Sequence, residues 1–97
     1  MPIAHLTIEL RIEGAQSLKD KRQVVRSLKD KLRTKFNVSV AELDEGDMWQ
    51  RATIGVVSIS GSNDYLAGLM QNVEREAFKV ANNNGAEVVD TFVDFVE

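Results

Sequence analysis

Cysteine is absent from this sequence of 97 residues, and so are long apolar runs. Without cysteine the chain has no disulfide, no thiolate metal site and no cysteine nucleophile. The apolar runs are only a few residues long, far short of the roughly 20 that cross a bilayer. The first residues show neither the charged region nor the apolar region of a signal peptide. We therefore expect a cytoplasmic protein with no membrane partner.

Residues that commonly carry catalysis or bind metals are also scarce. His5 is the only histidine, and the sequence contains no glycine-rich phosphate loop and no recognisable nucleophile–base pair. Glu42, Asp44, Glu45 and Asp47 lie close together, but their spacing fits no calcium loop, so an acidic turn is favoured over a hard-metal site. The sequence predicts a non-enzymatic protein without catalytic residues, cofactor or metal.

The composition is that of an ordinary globular domain, with 43% apolar and 28% charged residues. Alternating apolar residues predict strands, and apolar residues at a spacing of three and four predict helices. The predicted elements are a strand at 3–12, a helix at 17–36, strands at 37–43 and 51–60, a second helix that ends before Gly85, and a strand at 87–96. Residues 44–47 supply a hairpin turn.

This β-α-β-β-α-β order predicts an α+β fold in one domain over residues 1–97. Right-handed crossovers give a ferredoxin-like sandwich, with an antiparallel sheet of order 4-1-3-2 and both helices on one face. Ser17 and Asp20 form a capping pattern at the start of the first helix, and the same spacing recurs at Ser27 and Asp30 inside it. Gly85 suits a left-handed position after the second helix.

Charge is strongly segregated along the chain. Residues 16–36 contain eight basic and two acidic residues, whereas the rest contains four basic and thirteen acidic ones. Five of the basic residues fall within about 80° on a helical wheel, and they extend along about 20 Å of helix. These five residues are Lys19, Arg22, Arg26, Lys29 and Arg33. Such a row matches the spacing needed to follow a phosphate backbone, which predicts binding to ribosomal or other RNA.

Other interpretations of the same row remain open. Charged helix faces are usually solvated. These side chains also have the acidic region from Glu42 to Asp47, a second subunit or an acidic protein as alternative partners. Arg51, which lies beside Trp49, is added to the candidate RNA contacts, although a tryptophan there is more often a packing anchor. The outward positions of the first and third strands carry no phenylalanine, tyrosine or tryptophan, so base stacking on the sheet is not expected.

The sheet face opposite the helices is unusually apolar in the third and fourth strands, where both alternating sets of positions hold apolar residues. A bulge that shifts the register is one explanation. The other is that this face is covered in a homodimer or by a protein partner, as in an interaction or small-ligand regulatory module. The candidate self-association residues are Val57, Ile59, Phe92 and Phe95.

Three segments give the chain a resemblance to a known family. They are Ser17-Leu18-Lys19-Asp20-Lys21-Arg22, Phe36-Asn37-Val38-Ser39-Val40-Ala41-Glu42 and Trp49-Gln50-Arg51-Ala52. Together they resemble the YlxP-like family of small uncharacterised bacterial proteins. The resemblance implies a ferredoxin-like fold. The family's genes often lie near those of translation factors, which implies a connection with ribosome maturation or translation but assigns no role to any residue.

Overall fold

The predicted succession of strands and helices is confirmed in a computed structural model, which describes residues 2–43 and 48–96. The four strands are β1 (Ile3–Arg11), β2 (Ser39–Glu42), β3 (Arg51–Ile59) and β4 (Glu87–Val96). The two helices are α1 (Leu18–Lys35) and α2 (Asn63–Asn83). β2 is shorter than the predicted strand at 37–43, and the predicted turn at 44–47 lies outside the described residues.

The strands form one antiparallel sheet in the order β2-β3-β1-β4, which is the predicted order read from the other edge. α1 packs on β2 and β3, while α2 packs on β1 and β4. Both helices cover the same face, because Leu6, Ile8 and Leu10 are buried while Thr7 and Glu9 between them are not. The other face, which we call the open face, has no helix on it.

The core lies between the helices and the sheet. The predicted apolar face of α2 is confirmed, since its members are all buried: Leu66, Leu69, Met70, Val73, Ala77 and Val80. On α1 the buried residues include Val25, Leu28 and Leu32, as the helical spacing predicts, together with Lys21. No helix among the described residues is both long and apolar enough to cross a membrane.

A β-bulge interrupts the pairing of β4 with β1. Glu9 pairs with Asp90 but its neighbour Leu10 pairs with Val88, so Val89 is an extra residue on the β4 side. The bulge changes which residues of β4 face the helices. It places Val88 on the helix side, but Phe92 and Val96 lie on the open face while Val93 and Phe95 lie on the other, so β4 remains apolar on both faces. The pairing of β3 with β1 is uninterrupted.

The predicted helix boundaries have identifiable caps. The Ser17 hydroxyl accepts a hydrogen bond from the backbone N–H of Asp20 at 3.2 Å. The Asp20 carboxylate accepts from the backbone N–H of Gln16 at 2.9 Å, so the two side chains together satisfy two backbone donors. Gly85 follows the cap of α2 and adopts a φ of 74°, which confirms the predicted left-handed position.

Candidate nucleic-acid interface

The five predicted cations of α1 lie along one flank of the helix. We call this set the basic ridge: Lys19, Arg22, Arg26, Lys29 and Arg33. All are exposed except Lys29, which is half-buried. They lie beside the apolar residues Val25 and Leu28, which anchor α1 on the sheet. The anchoring of α1 therefore fixes the direction in which the basic ridge faces.

The basic ridge forms one wall of an open groove between α1 and β2. The residues that line the groove are Arg22, Val25, Arg26, Lys29, Asp30, Arg33 and Glu42. Four of these seven are cations, and only two are carboxylates. The groove follows the edge of the molecule, because β2 is the outermost strand of the sheet. An elongated anion therefore has access to it from solvent.

Most of the basic ridge has no acidic partner. Arg33 forms an exposed ion pair with Asp30 at 3.0 Å. Within residues 2–43 and 48–96, Lys19, Arg22, Arg26 and Lys29 form no ion pair. Among the described residues, Arg33 is thus the only member of the basic ridge whose charge is balanced by an acidic side chain of the same chain.

The second carboxylate of the groove, Glu42, belongs to a different pair. Its Oε2 lies 3.2 Å from Nζ of Lys21, whose side chain is only 2% exposed. Lys21 extends from the buried face of α1 toward β2 and meets Glu42 from beneath the groove. Because Glu42 balances the buried charge of Lys21, it offsets less of the positive field of the ridge.

The opposite flank of α1 faces α2 and behaves differently. Lys35 donates a hydrogen bond to the Glu76 carboxylate at 2.7 Å, and Glu76 is buried on the face of α2 that also carries Val73 and Val80. The hydrogen bond from Lys35 lowers the pKa of Glu76, and burial opposes this effect; the charges of Lys35, Lys79 and Lys31 lower the pKa further. This flank is part of the helix–helix contact.

Arg51 does not join the basic ridge. It pairs with Arg11 across the sheet, and both lie on the open face because their neighbours Leu10 and Ala52 point into the core. The ridge is on the helix side, so the predicted set of six RNA contacts forms two separate surfaces. Trp49, just before Arg51, is 49% exposed and is therefore not a fully buried anchor.

The four predicted self-association residues also divide between two faces. Val57 and Ile59 are on the open face, and so is Phe92, whose partner on β1 is Thr7. Phe95 pairs with the buried Ala4 and lies beside the start of α2, so its placement with the other three was wrong. Phe92 and Phe95 are three residues apart in the regular part of β4, so strand alternation by itself places them on opposite faces.

The remaining candidates form no chemical site among the described residues. His5 lies on the open face between Val57 and Asp94 on the neighbouring strands. No group of three or more histidine or acidic residues suited to a metal is found in residues 2–43 and 48–96. Three members of the acidic cluster, Asp44, Glu45 and Asp47, lie outside the described residues.

Lys21 and Glu76 are the two charged residues whose roles the sequence did not reveal. Both occupy positions within the apolar sectors of their helices, where a charge requires a partner. Their positions within the apolar sectors were the signal in the sequence from which buried ion pairs could have been predicted. Their partners, Glu42 and Lys35, are distant in sequence and become evident only when β2 and α2 are placed beside α1.

The topology and the sheet order define the class as a ferredoxin-like α+β protein. Among solved structures of similar fold, a dimeric ferredoxin-like protein of unknown function from Thermobifida fusca has a TM-score of 0.51 and 18% identity, with 99% of this chain and 90% of that chain covered. A C-terminal segment of the alpha subunit of aIF2 from Pyrococcus abyssi has a TM-score of 0.53 and 12% identity, covering 100% and 52%. Identities this low establish the fold alone.

The sequence comparisons define the family. Residues 3–93 match the family described as protein of unknown function (DUF503), and the chain belongs to this family. It is 41% identical over 51 residues to the uncharacterised protein YlxP of Bacillus subtilis (strain 168), which confirms the YlxP-like resemblance. That match covers 53% of this chain and 55% of YlxP, so it spans about half the length of the relative.

Proposed function

We propose that this chain is a non-enzymatic cytoplasmic protein that binds RNA through the basic ridge, with ribosomal RNA as the favoured target. The observation that carries the proposal is the exposure of Arg22, Arg26 and Lys19 without any ion pair among the described residues. Lys29 and Arg33 continue the same line. Unpaired cations at this density attract a polyanion and release its condensed counterions on binding.

The spacing of the ridge favours a phosphate backbone over a single small anion. Successive members are three or four residues apart, which corresponds to steps of about 4.5 to 6 Å along the helix axis. Five cations therefore extend over about 20 Å, longer than any one phosphate group. A continuous strand of phosphates uses the full length of this row.

The surface also favours contact with phosphates over recognition of bases. β1 and β3 are the central strands of the sheet, and their open-face residues include no phenylalanine, tyrosine or tryptophan. A sheet of this topology that recognises RNA sequence stacks bases at those positions. Binding through α1 would therefore depend on the shape and charge of the RNA, with little preference for sequence.

The acidic remainder of the chain restricts the orientation of the RNA. Outside residues 16–36 the sequence has nine more acidic than basic residues, which repel a polyanion. The β4 edge, with Glu87, Asp90 and Asp94, is on the side of the sheet away from β2. These carboxylates disfavour an approach of RNA from the β4 edge.

Co-sedimentation with ribosomal subunits over a series of salt concentrations tests the proposal. For wild type we expect association that weakens linearly on a plot of log affinity against log salt. Arg22→Glu/Arg26→Glu should weaken it at least tenfold and flatten the slope, because two phosphate contacts become repulsive. Arg75→Glu/Lys79→Glu makes the same change of charge at exposed positions of α2 and is the matched control.

Two results would overturn the proposal. One is association that is absent or does not respond to salt. The other is an equal loss in the α2 control, which would show a dependence on net charge alone. Repeating the assay with purified ribosomal RNA separates RNA binding from binding to an acidic protein of the subunit, because only the former persists with RNA alone.

A further inference from the structure

The open face carries a contiguous apolar area at one end. The rows at this end contribute apolar side chains from β1, β3 and β4, which are Ile3, Val57, Ile59, Phe92 and Val96. Leu43 follows β2 in the row of Thr53, and its side chain reaches toward them over Gly55. Ser39, His5 and Asp94 are the polar residues in the row of Val57. All of the apolar residues but the half-buried Ile3 are exposed, and no helix lies over them. The rows at the other end are polar and contain Glu9, Arg11, Arg51, Glu87 and Asp90.

Leu43 is held over this area by a glycine. A Cβ atom added to Gly55 would lie 2.8 Å from a methyl carbon of Leu43, so the absence of a side chain lets Leu43 lie across β3. Leu43 remains half-exposed and borders a shallow pocket with His5 and Val57. The apolar end is therefore not flat: the Leu43 side chain projects from it, and a shallow depression lies beside that side chain.

We propose that the open face is covered by the open face of a second copy of this chain, in a face-to-face dimer whose two-fold axis runs parallel to the strands. Rotation about that axis leaves the position of each row along the strand direction unchanged. The apolar end of one copy therefore meets the apolar end of the other, and the polar ends also meet. An in-plane axis across the strands would instead place Ile59 and Val96 on Arg51 and Glu87. That arrangement buries charge against apolar groups.

The carboxylates of the open face agree with this axis. Its carboxylates lie on β1 and β4, whereas the half formed by β2 and β3 carries Arg51 and no carboxylate among the described residues. Rotation about the strand direction places the β4 half of one copy over the β2–β3 half of the other. The acidic β4 edge therefore faces the half without acids. The same rotation brings Arg51 of one copy close to Arg11 of the other at the polar end, because the two residues share a row.

The area of the face also suits a dimer. Strands β1 and β3 have nine residues and β4 has ten, which gives a length of about 30 Å, and the shorter β2 widens one end. At about 4.8 Å between strands the face covers about 500 Å² in flat projection. The accessible area of the side chains on it is larger, and a stable complex buries about 600 to 1,000 Å² on each partner.

Sedimentation velocity of the 97-residue chain across the micromolar range tests the proposal. We expect wild type to sediment at twice the chain mass, and Phe92→Asp to raise the dissociation constant of the dimer at least tenfold. Phe95→Asp is the matched control, because Phe95 lies on the same strand with 46% exposure, compared with 52% for Phe92, but on the opposite face. Phe78→Asp, at 48% exposure on α2, is a second control.

Circular dichroism establishes that each variant is folded, and Ile59→Lys replaces Phe92→Asp if the latter fails to fold. The proposal is overturned by a wild type that stays monomeric, by a Phe92→Asp or Ile59→Lys chain that still dimerises like wild type, or by an equal effect of Phe95→Asp. RNA binding through α1 involves the other side of the sheet, so this outcome does not depend on the proposed function.

Discussion

Nζ of Lys21 lies 3.2 Å from Oε2 of Glu42, and the lysine is 2% exposed while 27% of the glutamate side chain is accessible. The two partners of this ion pair therefore differ in their exposure to solvent. The cation is enclosed by the protein, whereas the glutamate side chain is partly accessible although its Oε2 is buried. The pair joins α1 to the edge strand β2 and closes the bottom of the groove beside the basic ridge.

Removal of either partner should therefore have different effects on the free energy of unfolding. Glu42→Gln removes the negative charge 3.2 Å from a lysine that is only 2% exposed and should cost about 2 kcal/mol. Lys21→Met keeps the apolar length of the side chain and leaves a glutamate whose side chain is 27% accessible, so it should cost about 1 kcal/mol or less. Urea unfolding at neutral pH gives both values. Equal losses would contradict the unequal burial of the pair.

The Lys35–Glu76 pair predicts a dependence of stability on pH. Because Lys35 holds the pKa of Glu76 below that of the unfolded chain, Glu76 stabilises the fold above about pH 4.3 and loses this effect as the pH falls through its folded pKa. The difference in stability between wild type and Glu76→Gln should be largest at neutral pH and should shrink below pH 4.3.

Lys35→Met provides the control for this measurement, since it removes the donor and leaves the carboxyl. It should reduce the same pH dependence, and adding Glu76→Gln to it should change little more. Urea unfolding at several pH values measures the effect. A difference that grows on acidification would show that the pKa of Glu76 is raised in the folded protein.

The two serines of α1 with identical spacing to an aspartate should differ in their contribution. Ser17→Ala removes the acceptor for the N–H of Asp20 and should cost about 1 kcal/mol. Ser27→Ala, at an exposed position within the helix, should be neutral or slightly stabilising, because alanine has the higher helix propensity. Thermal unfolding of both variants makes the comparison, and an equal loss would show that Ser17 does not act as a cap.

Much of the fold follows from local patterns in the sequence. The alternation in β1, the apolar face of α2 and the position of Gly85 each depend on residues near one another in the chain, and each prediction was confirmed. The order of strands followed because right-handed crossovers leave few arrangements for two βαβ units. The exposure of the basic ridge also followed, since its position relative to the apolar stripe on α1 is a property of the helix alone.

Most of what the sequence did not reveal depends on contacts between distant segments. Phe95 is the exception: it was grouped with Phe92 although the two are three residues apart, and strand alternation alone places them on opposite faces. Arg51 was grouped with the ridge by its charge, although the face of β3 on which it lies excludes it. The partners of Lys21 and Glu76 required the packing of α1 against β2 and α2.

The bulge at Val89 has a consequence beyond the faces of β4. β4 is an edge strand of ten residues, and Phe92, Val93 and Phe95 are exposed on it. A long, regular and apolar edge offers a template on which further strands assemble into aggregates. An extra residue bends the strand and breaks the even repeat of its unpaired backbone groups. The bulge at Val89 therefore interrupts the regular edge that open-ended strand addition requires, at an edge that no other strand covers in residues 2–43 and 48–96.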